Sequence, residues 1–225
     1  MRYSTIRKRP IPARFWRRRN DGAGEKIMIR YIADMHFDHA DILAYDNRPF
    51  TSAAEMNEAM IQNWNAVVSP DDLTWILGDF CAGGAERWRE ILGRLNGEKA
   101  LIIGNHDAPE AVAGAKDLLA EAAEYREITD GGRSVVLCHY PIPFFRDHYF
   151  GCYHIYGHVH AGFEWNIAEN SARLIRNLYA RSDVCRMINA GAMLPYMAYT
   201  PRSLDELAGT LHGRGAGGCG YERGG

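Results

Sequence analysis

The chain has 225 residues, 47% apolar and 24% charged, with a net charge of −2; this is the balance of a soluble globular protein of one generous domain or two small ones. No apolar run approaches the roughly 18 residues of a membrane-spanning helix. Five cysteines, an odd number with no CxxC pair, argue against a disulfide framework or a thiolate zinc site and fit a reducing cytoplasm.

The first 26 residues stand apart. They hold nine Lys/Arg against Asp21 and Glu25, a local charge of +7, which leaves −9 on the remaining chain. With no apolar segment of its own, this leader is not a secretory signal. It reads as a flexible extension, with Met28 just before the first ordered strand; a nucleic-acid-binding arm is the alternative. Residues 27–207 read as the folded domain and 208–225, with eight glycines, as a flexible tail.

Within the domain, Lys26–Ala33 is a short apolar strand. Ser52–Val68 places apolar residues at helical spacing, with Thr51 or Ser52 as N-cap. Leu73–Leu77 is a second strand, Ala85–Leu95 a helix with Trp88, Ile91, Leu92 and Leu95 on one face, and Ala100–Ile103 a third strand. Pro109–Tyr125 reads as an alanine-rich helix. Tyr125–Thr129 and Arg133–Cys138 flank Asp130-Gly131-Gly132, a hairpin signal. His154–Tyr156 and Arg186–Asn189 are further strands. Alternating strands and helices followed by hairpins predict an α/β protein with mixed sheets.

Polar residues able to bind a metal follow five of these strands: Asp34 and His36, Asp79, Asn105 with His106 and Asp107, His139, and His158 with His160. Sites in open α/β sheets form at the carboxyl ends of strands, so neighbouring strands would bring these side chains to one edge. In Asp34-x-His36 and His158-x-His160, residues two apart share one side of an extended segment. Glycines before Asp79, Asn105 and His158 permit close approach. Carboxylate, imidazole and amide donors without a thiolate suit manganese, iron, zinc or similar divalent ions. Seven donors are too many for one four-coordinate ion and about right for two that share a carboxylate.

Taken together, Asp34-x-His36, Gly78-Asp79, Gly104-Asn105-His106-Asp107, His139 and Gly157-His158-x-His160 resemble the five ordered motifs of the calcineurin-like metallophosphoesterase superfamily, over roughly Lys26 to Leu207. The resemblance implies a single-domain, four-layer α-β-β-α sandwich of two mixed β-sheets, with a dinuclear metal site at the strand ends. It also implies roles. Asp34, His36 and His160 would hold one ion and Asn105, His139 and His158 the other, with Asp79 bridging. His106 would act as general acid on the leaving oxygen, with Asp107 holding its ring. The expected cofactors are two divalent ions, manganese first, with iron, zinc, nickel or magnesium as alternatives. The expected reaction is attack of metal-activated hydroxide on a phosphodiester or phosphomonoester.

The stretch GDFCAGGAER lacks the arginine that protein serine/threonine phosphatases of the superfamily carry after their Gly-Asp, which disfavours phosphoprotein substrates. A nucleotide-like ester is favoured; a nuclease acting on DNA or RNA and a non-catalytic metal-binding scaffold are the other readings. Three side chains are candidates for substrate contact: His39, for a phosphate oxygen or in support of a ligand; Arg48, by bidentate bonding to phosphate; and Arg146, in the PFFRDHYF loop with His148 and aromatics that either stack on a base or fill the core.

Overall fold

The computed structural model describes residues 27–213; the basic leader and residues 214–225 lie outside the described residues. Two mixed sheets form an α/β architecture. The first has the order β4-β3-β2-β1-β9, and the second β5-β6-β7-β8.

In the first sheet β1 (Ile29–Ile32), β2 (Leu73–Ile76), β3 (Glu98–Ile102) and β4 (Glu121–Ala123) run parallel, and β9 (Arg202–Ser203) pairs antiparallel to β1. Every residue of β2 is buried, as expected of a parallel strand covered on both faces. Helices α1 (Ile42–Tyr45) and α2 (Ala53–Val67) link β1 to β2, α3 (Ala85–Arg94) links β2 to β3, and α4 (Pro109–Gly114) with a 3-10 turn (Lys116–Leu118) leads to β4. Of the two candidate caps Ser52 is the one used: its side chain accepts from the Glu55 N–H at 3.1 Å, worth about 1 kcal/mol.

In the second sheet β5 (Tyr125–Asp130) and β6 (Arg133–Cys138) form the expected hairpin, and β7 (Tyr153–Tyr156) and β8 (Arg186–Asn189) add in parallel. Its strands alternate between two cores, as the two-residue period of a strand requires. Val135, Leu137, Ile155 and Ile188 pack with residues of the first sheet, while Val136, Tyr156 and Met187 pack with α5 (Phe163–Tyr179). The layers are therefore helices, first sheet, second sheet and α5. Helix α6 (Leu204–Gly213) closes the described chain.

Three expectations need correction. Pro109–Tyr125 is not one helix: α4 stops at Gly114, and Glu121–Ala123 instead pairs with Ala100–Ile102 as an edge strand. Helix propensity of the alanines yields there to the hydrogen bonds that β3 offers. Helix α5 had no predicted counterpart. And α6 continues six residues past Leu207, into the stretch read as tail. None of the described helices is long and apolar enough to cross a membrane.

Beyond the strand ends the loops go on pairing. The Asp34 N–H donates to the Gly78 carbonyl and that of His36 to the Asp79 carbonyl, at 3.1 and 2.9 Å. The Ala33 N–H donates to Ala190 and the Gly157 N–H to His139, at 2.8 and 2.9 Å. The first two bonds join the loops after β1 and β2. The third ties β1 to the end of β8, so the carboxyl ends of both sheets meet along one rim.

Candidate metal centre

All seven predicted ligands reach that rim. Asp34, His36, Asp79 and His160 each offer one ligand atom, and the four atoms lie within 4.8 Å of one another. His36 Nε2 is 3.3 Å from His160 Nε2 and 3.6 Å from Asp79 Oδ2. The second group adjoins the first through Asp79, whose Oδ2 is also 3.4 Å from His139 Nε2. Asn105 Oδ1 lies 3.0 Å from His139 Nε2 and 2.9 Å from His158 Nδ1.

The backbone at these positions is unusual. Asp34, His36, Asp79, His158 and His160, five of the seven, have φ between 46° and 71°. A left-handed conformation costs a non-glycine residue about 1–3 kcal/mol and collects at functional sites. Two glycines make room. A Cβ on Gly78, itself at φ +87°, would overlap His139 Nδ1, and one on Gly104 would overlap Asp79 Oδ1.

Hydrogen bonds outside the cluster set the ring tautomers. His139 Nδ1 donates to the Leu77 carbonyl at 2.7 Å. His160 Nδ1 donates to Asp46 Oδ1 at 2.8 Å. Each bond holds the Nδ1 proton outside and turns Nε2 into the cluster, the arrangement that outer partners impose on metal-binding imidazoles. His39 Nδ1 stands 3.3 Å from His36 Nδ1 and can do the same for His36. Of its two proposed roles, support of a ligand is the one this geometry serves.

The cluster fits a cation on its own chemistry. Asp34 Oδ2 is fully buried with no hydrogen-bond partner, a costly state for a carboxylate oxygen unless a positive charge faces it. Asp34 Oδ1 accepts from the His158 N–H at 2.9 Å. Burial raises the Asp34 carboxyl to about 6 and lowers His36 to about 3. Burial also opposes charge on Asp79 and His139, but their mutual hydrogen bond and attraction win, holding Asp79 at about 2 and His139 at about 9. In the metal-free protein a proton on His139 thus supplies the positive charge between Asp79 and Asn105.

The remaining candidates divide. His106 is exposed, its N–H donates to Asp79 Oδ1 at 2.8 Å, and its ring centroid is 5.4 Å from that of His36. Asp107 does not hold the His106 ring. It is buried, and its two oxygens accept from the N–H groups of Gly104, Asp79 and Phe80 at 2.8, 3.0 and 2.8 Å. It braces the loop after β2 against the loop after β3. Arg48 does not face solvent. Its guanidinium is buried, donating to Asp46 Oδ2 and to the carbonyls of Asp34 and Met35. Arg146 is turned toward β5, where it pairs with Glu127 at 2.9 Å.

Sequence reasoning missed Asp46, which lies two residues before Arg48 and has no strand before it. It also missed Asn189, which donates to the His160 carbonyl at 2.9 Å, and two exposed rings beside the cluster. Tyr45 sits 5.6 Å from the His160 ring and Tyr140 4.7 Å from that of His158.

Fold and site together define a class: an α/β protein of two mixed sheets with a buried carboxylate–imidazole cluster, able to hold a metal ion, at the strand ends. The chain belongs to the same family as the uncharacterized protein MJ1445 of Methanocaldococcus jannaschii, with 39% identity over 135 residues, 59% of this chain and 69% of that protein. The Gene 66 protein of Mycobacterium phage D29 is 30% identical over 129 residues, 50% of this chain and 63% of its own length. No family model matches. Among solved structures, the protein of unknown function AQ665 from Aquifex aeolicus superposes with a TM-score of 0.62 and 26% identity, over 82% of this chain and all of that one.

Proposed function

We propose that the protein is a metal-dependent phosphoric ester hydrolase of the calcineurin-like type that works with two divalent cations. The observation that carries this reading is the placement of Asp79 Oδ2 within 3.6 Å of His36 Nε2 and 3.4 Å of His139 Nε2. One carboxylate oxygen thereby faces an imidazole Nε2 in each of two donor groups, as a shared ligand must. Asp34, His36 and His160 then hold one cation, Asn105, His139 and His158 the other, and Asp79 both. Imidazole and carboxylate together suit manganese, with iron, zinc, nickel and magnesium as competitors.

Cations bound there acidify a water and withdraw charge from phosphoryl oxygens. The protein's own groups do the rest. His106, at the exposed edge and fixed through its N–H by Asp79, gives a proton to the leaving oxygen. The hydrogen bonds to Asp46, Leu77 and His39 keep three imidazoles aimed. Tyr45 and Tyr140, 77% and 45% exposed, offer ring faces beside the ligands, which favours a nucleotide-like ester. The four described cysteines are free and buried, which fits work in a reducing cytoplasm.

Metal analysis of the manganese-loaded protein, paired with a panel of phosphomonoesters, phosphodiesters, nucleotides and single-stranded DNA, tests this. The expected result is two ions per chain and turnover of a small nucleotide-like ester. Bound metal without hydrolysis of any ester would instead mark a scaffold.

A further inference from the structure

Helix α5 carries a second apolar surface, on the side that faces solvent. Its buried face consists of Ala168, Ala172 and Ile175. Apart from Ile175 and Trp165, which packs partly buried against both cores, its bulkier apolar side chains point outward: Phe163 is 77% exposed, Ile167 51%, Leu174 59% and Leu178 75%. A surface helix normally keeps its large apolar residues on the core side. At about 100° per residue, spacings of four, seven and four confine these side chains to one stripe roughly 22 Å long.

The stripe is also self-complementary. Phe163 and Leu178 are equidistant from the midpoint between Asn170 and Ser171, and so are Ile167 and Leu174. A twofold axis at that midpoint lays the helix antiparallel on its own copy, so that Phe163 meets Leu178 and Ile167 meets Leu174, each pair twice. Such isologous matching is what a twofold dimer requires. Like charges are kept apart: Glu164 falls opposite Asn177, and neither Arg173 nor Arg176 falls opposite another arginine. The exposed area is of the order that a standard interface buries: the four side chains are 51–77% exposed and Tyr179 48%, which leaves several hundred Å² per copy, against about 800 Å². The Tyr179 hydroxyl bonds that of Tyr149 at 2.9 Å, and the next residue, Phe150, is 82% exposed.

We propose that α5 is a homodimer interface and that its occupant is α5 of a second copy, antiparallel about the Asn170–Ser171 midpoint. The test is sedimentation equilibrium of the full chain between about 1 and 100 µM, with Ile167→Lys, Leu174→Glu and the double variant. These positions are exposed, so the variants keep their fold. The wild-type chain is expected to be a dimer. Each single variant is expected to weaken it on the order of 30-fold or more. The double variant is expected to recover most of that loss, because opposite charges then meet across the axis. Three results would overturn the proposal: a monomeric wild-type chain at 100 µM, including one that sediments with anionic vesicles instead; a dimer indifferent to either single change; or a double variant no tighter than the singles.

Discussion

Asp46 accepts the Nδ1 proton of His160 at 2.8 Å, while Arg48 grips the other Asp46 oxygen at 2.8 and 2.9 Å. Arg48 also donates to the carbonyl of Asp34, so one buried pair holds the first and last members of the cluster. Removing such an outer partner typically lowers metal affinity 10–100-fold. Asp46→Ala is expected to do so by calorimetric titration with manganese. An unchanged affinity would mean that His160 keeps its orientation without help.

The proton on His139 predicts a pH dependence. An imidazole whose folded pKa exceeds its unfolded value of about 6.5 stabilises the fold below that pH. Here the stabilisation fades as pH climbs through about 9. Asp34, raised to about 6, likewise lowers stability as pH rises, but between about 4 and 6. His36, lowered to about 3, opposes it up to about 6.5. Above pH 6.5 His139 acts without either. In EDTA, the urea midpoint is expected to fall from pH 6.5 to 9. With manganese, which competes with that proton, the stabilisation conferred by metal is expected to grow over the same range. A midpoint flat in EDTA across this window would sink the assignment.

Asp107 makes a stability prediction rather than a catalytic one. It accepts three backbone N–H groups from two loops, and burial pushes its carboxyl above the usual range. Asp107→Ala strands those donors and is expected to cost about 3 kcal/mol, measured by denaturant unfolding of the metal-free protein. If its task were to hold the His106 ring, the change would depress turnover while leaving stability alone.

The site was legible in the sequence to the extent that its residues directly follow strands. Apolar runs such as Leu101–Ile103 announce a strand, a glycine marks its end, and the polar residue beyond must then stand at the sheet rim. This logic brought all seven candidate side chains to the rim where the structure places them. Asp46 escaped it because Asp46 and Arg48 lie in a loop whose contacts run to residues far along the chain, 114 positions away for His160. Arg48 looked available for phosphate because a guanidinium is usually exposed, and only the packed structure reveals the carbonyls that receive it. Helix α5 was hidden by its second apolar face: outward Phe163, Ile167, Leu174 and Leu178 blur the stripe formed by Ala168, Ala172 and Ile175. For β4 the alanines favour a helix on propensity, and the open edge of β3 decides otherwise.

Gly104 tests how closely the loops must approach. A Cβ there would come within 2.6 Å of the Asp79 nitrogen as well as overlapping its Oδ1, and both belong to rigid buried structure. Gly104→Ala is expected to displace the Asp79 carboxylate, to cost about 1–3 kcal/mol of stability and to weaken metal binding. Metal content and melting temperature of the purified variant give both readings. Wild-type values for both would mean that the rim is softer than its buried loops imply.

His106 is the residue whose loss separates proton donation from metal binding. Its ring is exposed and stands near the His36 ring without an atom in the ligand cluster. His106→Asn is therefore expected to leave metal content unchanged. A general acid matters in proportion to how badly the leaving group needs a proton. Turnover of an alkyl ester is then expected to drop by about 10²–10⁴-fold, and that of a 4-nitrophenyl ester, whose leaving group departs as an anion, far less. Equal losses on both esters would point to a positioning role, because misplacing the phosphoryl group penalises every leaving group alike.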